Sequence, residues 1–406
     1  MIPLDEARRH VLDRVTRLAS VVVPLADAAG LVLATEVVAA EQVPPFANTA
    51  MDGFAVRAAD TEAAPVTLEM IGTIAAGATF DGEVGPGQAA RIMTGAPMPL
   101  GADAVVMVEK TALDEAVGAV AVEITVPVGN HVREAGEDVN PGDVLFDAGT
   151  VLTAGHLGVL ASVGVREVEV VRRPRVGVIS TGDELVDDDR ALRPGEIRDS
   201  NRRTLLTLVA EAGWEAVDLG ISVDDPDAIR EAFSAGAASC DAILSSGGVS
   251  MGAFDYVKVV LDEIGDMRWM QIAIKPAKPF AFGLIGSTPV FGLPGNPVSS
   301  MVSFELFARP AIAFMAGQDD TALPLLTAIS EDTLGHASDG KTHFLRVEGR
   351  VDDTGRWYVR RAGGQGSHQL TAMARADALA LSPDGAEIEP GDEVQVLPLR
   401  SAWSLR

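Results

Sequence analysis

Four short stretches of the chain carry residues suited to holding an oxyanion or a phosphate. The first is Ser180-Thr181-Gly182-Asp183-Glu184. The hydroxyl of Thr181 and the backbone at Gly182 can hold phosphate oxygens, and the Glu184 carboxylate beside them can hold a divalent cation. The second runs SSGGVSMG from Ser245 to Gly252. Gly247 and Gly248 let the backbone approach a ligand closely, Ser245 and Ser250 add hydroxyls, and successive N–H groups form an anion-binding nest. Asp255 follows at the mouth of a helix, where a carboxylate either caps the helix or binds Mg²⁺. The third is Lys275-Pro276-Ala277-Lys278-Pro279, which holds two of the five lysines in the chain. Its prolines stiffen the loop, and lysine meets oxyanions as a hydrated point charge. The fourth, GLPGNPVSS from Gly292 to Ser300, contains Pro294, Asn296, Pro297 and Ser299 and opens a helix with free N–H donors. Each stretch alone has a plain structural reading: a solvated acidic turn, a tight strand-to-helix turn, two surface lysines, a capped helix. Together they predict a phosphate or oxyanion ligand accompanied by Mg²⁺. No HExxH, CxxC, GxSxG or Walker loop accompanies them, and the six histidines do not cluster in the sequence, so zinc hydrolase chemistry is not indicated.

The elements around these loops alternate strand and helix. RVGVIST is a compact apolar strand ending at the Thr-Gly-Asp turn. Asn201 is expected to cap a helix through Glu211, with Gly213 as its stop. A strand around Val217 leads to a helix begun near Asp224–Pro226. CDAILSSGG is a buried strand, DYVKVVLDEIG a helix, MRWMQIAIKP another strand, and PVSSMVSFELFARPAIAFMAG a closing helix with Pro297 near its first turn. Such repeats imply a parallel sheet covered on both faces, and ligands bind beyond the carboxyl ends of such strands. All four loops are of that kind.

The flanks read differently. The first twenty residues carry apolar positions at helical spacing and predict a helix. From Val21 to Val144 short β-like runs such as VTLEMIGTIAAG, ARIMTG, ADAVVMVE and AVEITVPV are broken by Gly and Pro, and Pro141 to Val171 continues that style around one short helix. Beyond Leu323, HFLRVEGRVDDTGRWYVRR predicts a hairpin around Asp-Asp-Thr-Gly, and EIEPGDEVQVLPL an edge strand pair. A small β-barrel of about 80 residues accommodates both.

The totals bound the function. A chain of 406 residues predicts two to four domains. Cys240 is the single cysteine, which excludes an intrachain disulfide and a cysteine-rich metal site. The formal net charge of −26 repels polyanions and argues against nucleic-acid or anionic-membrane partners. No apolar run reaches the length of a membrane span, and MIPLDEARRH lacks the features of a signal peptide, so a soluble cytoplasmic protein is expected.

The motifs together resemble the molybdopterin molybdenumtransferase family, also called the MoeA or gephyrin E-domain family. The matching stretches are STGDEL, SSGGVSMGAFDYVK, IKPAKPFAFG and GLPGNPVSS in the α/β region, with NTAMDGFAV, RIMTGAPMP, GADAVVMVE, REAGEDV and GTVLTAGHLGVLASVG before it. The resemblance spans nearly the whole chain in order. It implies a multidomain α/β plus β fold: a molybdopterin-binding parallel α/β domain at 173–322, β-rich N-terminal domains, and a C-terminal β-barrel at 323–406. The N-terminal part divides into a discontinuous dimerisation domain, 1–45 with 140–172, and an inserted β-rich domain at 46–139. A homodimer is implied, with the active cleft between the α/β domain of one subunit and the inserted domain of its mate.

The reaction implied is adenylyl-molybdopterin plus molybdate giving molybdenum cofactor and AMP, with Mg²⁺. Residue by residue, Glu184, Asp224 and Asp255 match family acids around Mg²⁺ and the phosphates. Asp52, Thr94 and Asp138 match functional positions of the inserted-domain region, acting across the dimer. Lys275, Lys278, Ser299, Arg346 and Ser367 match positions associated with molybdate, and Pro294 and Pro297 shape the adjoining loop. Asp225 directly follows Asp224, so either acid could be the ligand. Gln271 departs from relatives that carry a basic residue there, which removes one positive charge from the anion site and leaves the choice of molybdate over tungstate open. Rival readings are the molybdopterin adenylyltransferase, which shares the SSGGVS-type loop but is typically a short single-domain protein and a further expected partner; a non-catalytic scaffold; and a paralogue handling a related pterin or metal.

Overall fold

The computed structural model of the chain describes residues 1–248 and 256–399. Two compact units divide it. One comprises Met1–Val21, Gly30–Ala34 and Glu169–Arg406; the other comprises Val22–Ala29 and Thr35–Val168.

At the centre of the first unit lies a six-stranded sheet. Its order is Glu215–Ser222, Arg175–Thr181, Ala242–Ser246, Thr288–Leu293, Pro279–Ile285 and Asp266–Gln271. The first four strands are mutually parallel, and Pro279–Ile285 runs against both of its neighbours. The strand–helix alternation therefore holds, with one reversed strand added by the Pro279–Ile285/Thr288–Leu293 hairpin. Sequence patterning passes over that hairpin because its strands are buried on both faces. FAFGLI and PVFGL read as unbroken apolar runs with no period of two.

Alternate strand residues enter different cores. Val176, Val178 and Leu244 pack with Leu205, Val209 and Phe304, while Ile179 and Ile243 pack with Ile229, Phe233 and Val260. The Ser200–Glu211 helix covers the first face, and the helices Pro226–Ser239 and Tyr256–Ile264 the second.

The closing helix is composite. It runs α over Pro297–Ser303, widens to a π turn over Phe304–Ala308, and resumes α over Arg309–Met315. Pro310 lacks the N–H that would bond the Leu306 carbonyl four residues back. Arg8 replaces it, donating to Leu306 O at 2.6 Å and to Thr321 O at 2.6 Å. Pro297–Met315 is long and apolar enough to cross a membrane, yet 83% of its most apolar window is buried inside the protein, as in a core helix. The N-terminal helix is shorter than its periodicity predicts. It ends at Leu12, and Leu18 already lies outside it, with its N–H donating to Met315 O.

The C-terminal strands Leu326–Ser330, Thr342–Val351, Trp357–Arg361, Ala378–Ser382 and Glu393–Pro398 close into a five-stranded barrel. The expected hairpin is present. Asp352 organises its turn by accepting from the N–H groups of Thr354 and Arg356, both at 2.9 Å. EVQVLP is not at an edge, however: it pairs with Leu326–Ile329 on one side and Ala378–Ala380 on the other. Its alternation reports one face in the barrel core and says nothing of its neighbours. The short strand Ile274–Lys275 adds in parallel to Thr342–His343 and so brings the lysine loop of the α/β sheet to the barrel wall.

The second unit is built on a six-stranded sheet in the order Ala104–Met107, Gly53–Val56, Gln88–Ile92, Val66–Ile74, Ala119–Val122, Thr111–Asp114. Phe54, Val56, Ala89, Ala104 and Val106 fill one core and Ala55, Ala90, Ile92 and Val105 another, so this sheet too is buried on both faces. The one short helix expected after Pro141 is Ala154–Ser162, with a capping box between Thr153 and His156.

Candidate active site

The strand register brings three of the four loops to one rim. Thr181 pairs with Ser222, Ser180 with Ser246, and Ser246 with Leu293, so the loops after these strands start side by side. Backbone bonds tie them: Gly182 N–H donates to Ser222 O at 3.2 Å, and Gly247 N–H to Leu293 O at 3.1 Å. Gly247 has φ +99°, and a Cβ there would lie 3.0 Å from Thr181 O. A Cβ on Gly295 would be 3.9 Å from Gly247 Cα. The rim is thus bare backbone where these loops meet, which is what a close-bound anion requires. Thr181 is buried beside Gly247, and Gly248 is the last described residue of its loop. Ser250 and Asp255 lie outside the described residues.

Asn201 holds two of these loops together. Its amide donates to Ser246 Oγ at 2.8 Å and to Gly295 O at 2.7 Å. It is not the helix cap. Asp199 caps, accepting from Arg202 N–H at 3.1 Å, and Asn201 is the second residue of the helix, where its side chain reaches across to the neighbouring loops. Ser245 is fully buried on the sheet face opposite Ser246.

The acids are sorted by the Pro226–Ser239 helix. Asp225 is its cap, accepting from Asp227 N–H at 3.1 Å and Ala228 N–H at 2.9 Å. Asp224 is exposed and does not cap; its N–H donates to Asp183 at 3.0 Å, which joins the first loop to this one. Glu184 folds back over Gly182, whose absent Cβ would lie 2.4 Å from Glu184 Oε2. Glu184 and Asp224 are exposed oxygen donors, and oxygen is what a hard cation such as Mg²⁺ prefers.

The cations gather on the other side of the rim. Lys275 and Lys278 are exposed while Pro276 and Ala277 between them are buried, with Ala277 in the left-handed region at φ 73°. The loop is closed by Ile272 N–H donating to Lys278 O at 2.8 Å, and Gln271 ends the strand at its base, paired with Pro279. Arg346 is 1% exposed. Its guanidinium donates to Gly364 O at 3.0 Å and Gly366 O at 3.2 Å, and its Nε has no partner among the described residues. Burial pulls this guanidinium down from its ordinary value to about 10. Among the described residues no carboxylate pairs with Arg346, Lys275 or Lys278, whereas Arg202, Arg309 and Arg350 each bond at least one. The carbonyl of Ser367, in the loop that holds Arg346, accepts at 3.1 Å from the N–H of Val298, the second residue of the Pro297–Ser303 helix. Asn296 precedes that helix without a side-chain capping bond, and Ser299 is buried within it. Lys275, Arg346 and Arg361 line one cavity of about 230 Å³ with His336, His343 and Gln365.

In the second unit, Asp52 accepts from the N–H and from Oγ1 of Thr94, both at 2.7 Å, and these bonds hold its carboxyl below the usual range. The Asn48–Thr49 strand pairs with Val132–Arg133, so Asp138 follows on the neighbouring loop, its N–H donating to Val43 O at 2.9 Å. Two of the three N-terminal site residues are in direct contact.

Three family models match the chain: "MoeA N-terminal region (domain I and II)" over residues 2–164, "Probable molybdopterin binding domain" over 177–313, and "MoeA C-terminal region (domain IV)" over 335–399. The chain is 38% identical over 401 residues to a molybdopterin molybdenumtransferase of Haemophilus influenzae, covering 98% of each chain. It belongs to the molybdopterin molybdenumtransferase family.

Identity to the Bacillus subtilis molybdopterin molybdenumtransferase is 35% over 408 residues, covering 98% of this chain and 94% of that one. The crystal structure of a molybdopterin biosynthesis MoeA protein from Pyrococcus horikoshii superposes with a TM-score of 0.80 at 30% identity, over 99% of this chain and 100% of that one. Family members are transferases, and the fold is the one the resemblance implies: a molybdopterin-binding α/β domain, β-rich N-terminal regions and a C-terminal barrel.

Sequence reasoning missed Asn201 as a bridge and missed the histidines of the cavity. His336 and His343 are seven apart in a chain whose other histidines are scattered, yet their rings stack at 3.5 Å. The one signal was the place of His343 three residues before Arg346, in the Thr342–Val351 strand; His336 lies before that strand and carries no such mark. That alone does not name a partner.

Proposed function

We propose that the chain inserts molybdate into adenylyl-molybdopterin and releases AMP. The observation that carries this reading is Arg346, a buried guanidinium with no acid partner among the described residues, lining one cavity with Lys275 at the carboxyl-end rim of the sheet. A buried cation with unfilled donor capacity is costly unless an anion completes it. Lys275, Lys278 and Arg346 would neutralise molybdate, with Ser299 and Ser367 as hydroxyl donors beside it. The backbone of Gly182, Gly247 and Gly248, with Thr181, would cradle the phosphates of the adenylylated substrate, and Pro294, Asn296 and Pro297 shape the wall next to them. Glu184 and Asp224, with Asp255, would hold Mg²⁺, which when bound neutralises charge developing on the phosphoanhydride. The protein's work is to position an oxyanion beside two thiolates and to exclude alternatives, and no protein nucleophile is needed.

The reading includes a cytoplasmic homodimer in which Asp52, Thr94 and Asp138 of one subunit serve the α/β domain of its mate. It also includes delivery of the substrate by contact with the adenylyltransferase. Purified protein with adenylyl-molybdopterin and Mg²⁺ is expected to release AMP when molybdate is added, and to yield cofactor that reconstitutes an apoenzyme. ATP consumption with molybdopterin and no molybdate-dependent AMP would instead identify an adenylyltransferase.

A further inference from the structure

The cavity that Lys275 and Arg346 share has a second, titratable wall. His343 is the register partner of Lys275, is 7% exposed, and stacks face to face on His336 with ring centroids 3.5 Å apart and planes 4° from parallel. Its Nε2 lies 3.2 Å from Asp339 Oδ2. Asp339 is itself bonded by Lys341 Nζ at 3.0 Å, which holds its carboxyl down to about 2, so it is a fixed negative charge. Asp384 fastens the loop by accepting from the Asp339 and Gly340 N–H groups at 2.8 and 2.9 Å. The cavity thus has three permanent cations, Lys275, Arg346 and Arg361, two imidazoles, and no carboxylate among its lining residues.

We propose that His343 belongs to the oxyanion site as a positioning residue that takes up a proton when a tetrahedral oxyanion enters. The inference rests on the oxyanion reading of this cavity given above. Burial is the main opposition to a positive charge on the His343 ring, the stacked His336 and then Lys275 add to it, and Asp339 alone favours it. These influences together leave the imidazole below its ordinary value. A dianion reverses the local field, so the charged imidazole becomes the favoured form. Asp339 keeps Nε2 oriented while the opposite edge of the ring is available to the ligand.

The side chains of His336, Asp339 and His343 also lie within 4.8 Å of one another, a spacing compatible with a metal ion. Two features favour the anion. Both ring nitrogens of His336 face carbonyls, Ala337 O at 2.8 Å and Ser382 O at 3.2 Å. Asp339 is already engaged by Lys341, and the cavity beside it is lined by three further cations.

Linkage fixes the sign. A group that is neutral in the free site and protonated in the complex makes binding tighter at low pH. Affinity then falls by up to about tenfold per pH unit between the free and bound titrations. The test is calorimetric titration of the full-length protein with sodium molybdate, in two buffers of different ionisation enthalpy, between about pH 6 and pH 8. The wild type is expected to take up a measurable fraction of a proton per anion. His343→Gln, which keeps a donor for Asp339 but cannot titrate, is expected to bind molybdate with that uptake lost and with affinity nearly flat in pH. Asp339→Asn removes the one partner that favours the charged ring and sits at the surface, so it should move the uptake to lower pH even where the histidine variant folds poorly. Equal proton uptake in wild type and His343→Gln, or binding without uptake in the wild type, overturns the inference and leaves the oxyanion reading standing. Absence of molybdate binding to the wild type overturns the oxyanion reading itself.

Discussion

Two buried arginines, Arg202 and Arg346, should respond very differently to the same substitution. Arg202 is enclosed by carboxylates: its Nε bonds Asp199 at 3.1 Å, and its terminal nitrogens meet Asp218 and Asp187. Burial opposes its charge, and the bonds to Asp218 and Asp199 more than offset that. Replacing it by Met leaves Asp199 buried without its cation, which costs about 3–5 kcal/mol. Arg346 has no such partner. Its fall from the ordinary arginine value to about 10 means that holding it charged at neutral pH disfavours the folded state by about 3 kcal/mol, at about 1.4 kcal/mol per tenfold. Arg346→Met removes that penalty and forfeits two hydrogen bonds, to Gly364 O and Gly366 O, worth about 1–2 kcal/mol each. The sum lies near zero. Arg346→Met should therefore keep stability within about 1–2 kcal/mol of wild type while molybdate binding is lost. Hydrogen exchange of the Thr342–Val351 amides reads the first quantity locally, and calorimetric titration with molybdate reads the second. If Arg346→Met destabilised the barrel as strongly as Arg202→Met destabilises the α/β domain, and still bound molybdate, Arg346 would be a structural residue and the argument from its missing partner would fail.

Other outcomes follow from individual contacts. Asn201→Ala cuts the ties to Ser246 and Gly295 and should lower kcat/KM for AMP release by about 5- to 100-fold, equivalent to about 1–3 kcal/mol, with little change in the thermal transition. Asp225→Ala should destabilise the Pro226–Ser239 helix by about 0.5–2 kcal/mol in thermal melts, whereas Asp224→Asn should leave the melt unchanged and raise the Mg²⁺ concentration needed for half-maximal AMP release. Thr94→Val removes the hydroxyl that helps hold the Asp52 carboxyl low. The ionised form is then less favoured, so the acid limb of the activity profile should move up in pH towards the ordinary carboxylate range. An unmoved limb would show that Asp52 ionisation does not limit the reaction.

The glycine- and hydroxyl-rich loops of the candidate site and the elements that carry them were legible in the sequence because both are fixed locally. An apolar strand followed by glycine and hydroxyl residues dictates a backbone-lined turn, and Pro297 can only begin a helix. Which of two adjacent acids faces solvent was not legible. Asp224 and Asp225 have the same chemistry, and only the start of the helix decides that Asp225 is consumed as a cap. Asn201 and Asp199 present the same ambiguity two residues apart, resolved by which side chain meets Ser246 across the sheet. The buried hairpin from Pro279 to Leu293 escaped for a different reason, since a strand covered on both faces has no polar side to mark its period.

By itself, then, the sequence determined the parallel α/β frame and the flanking β regions, and it picked out the loops on which the oxyanion reading is proposed. Residue type and short-range spacing suffice for these. The tertiary structure alone decided that Lys275, Arg346 and the stacked His336 and His343 share one cavity. Lys275 and Arg346 belong to different domains, the α/β sheet and the barrel. They meet because Ile274–Lys275 adds as a strand to Thr342–His343. That pairing is a long-range hydrogen-bonded contact, paid for by packing of the whole unit, and no local pattern in either segment encodes its partner.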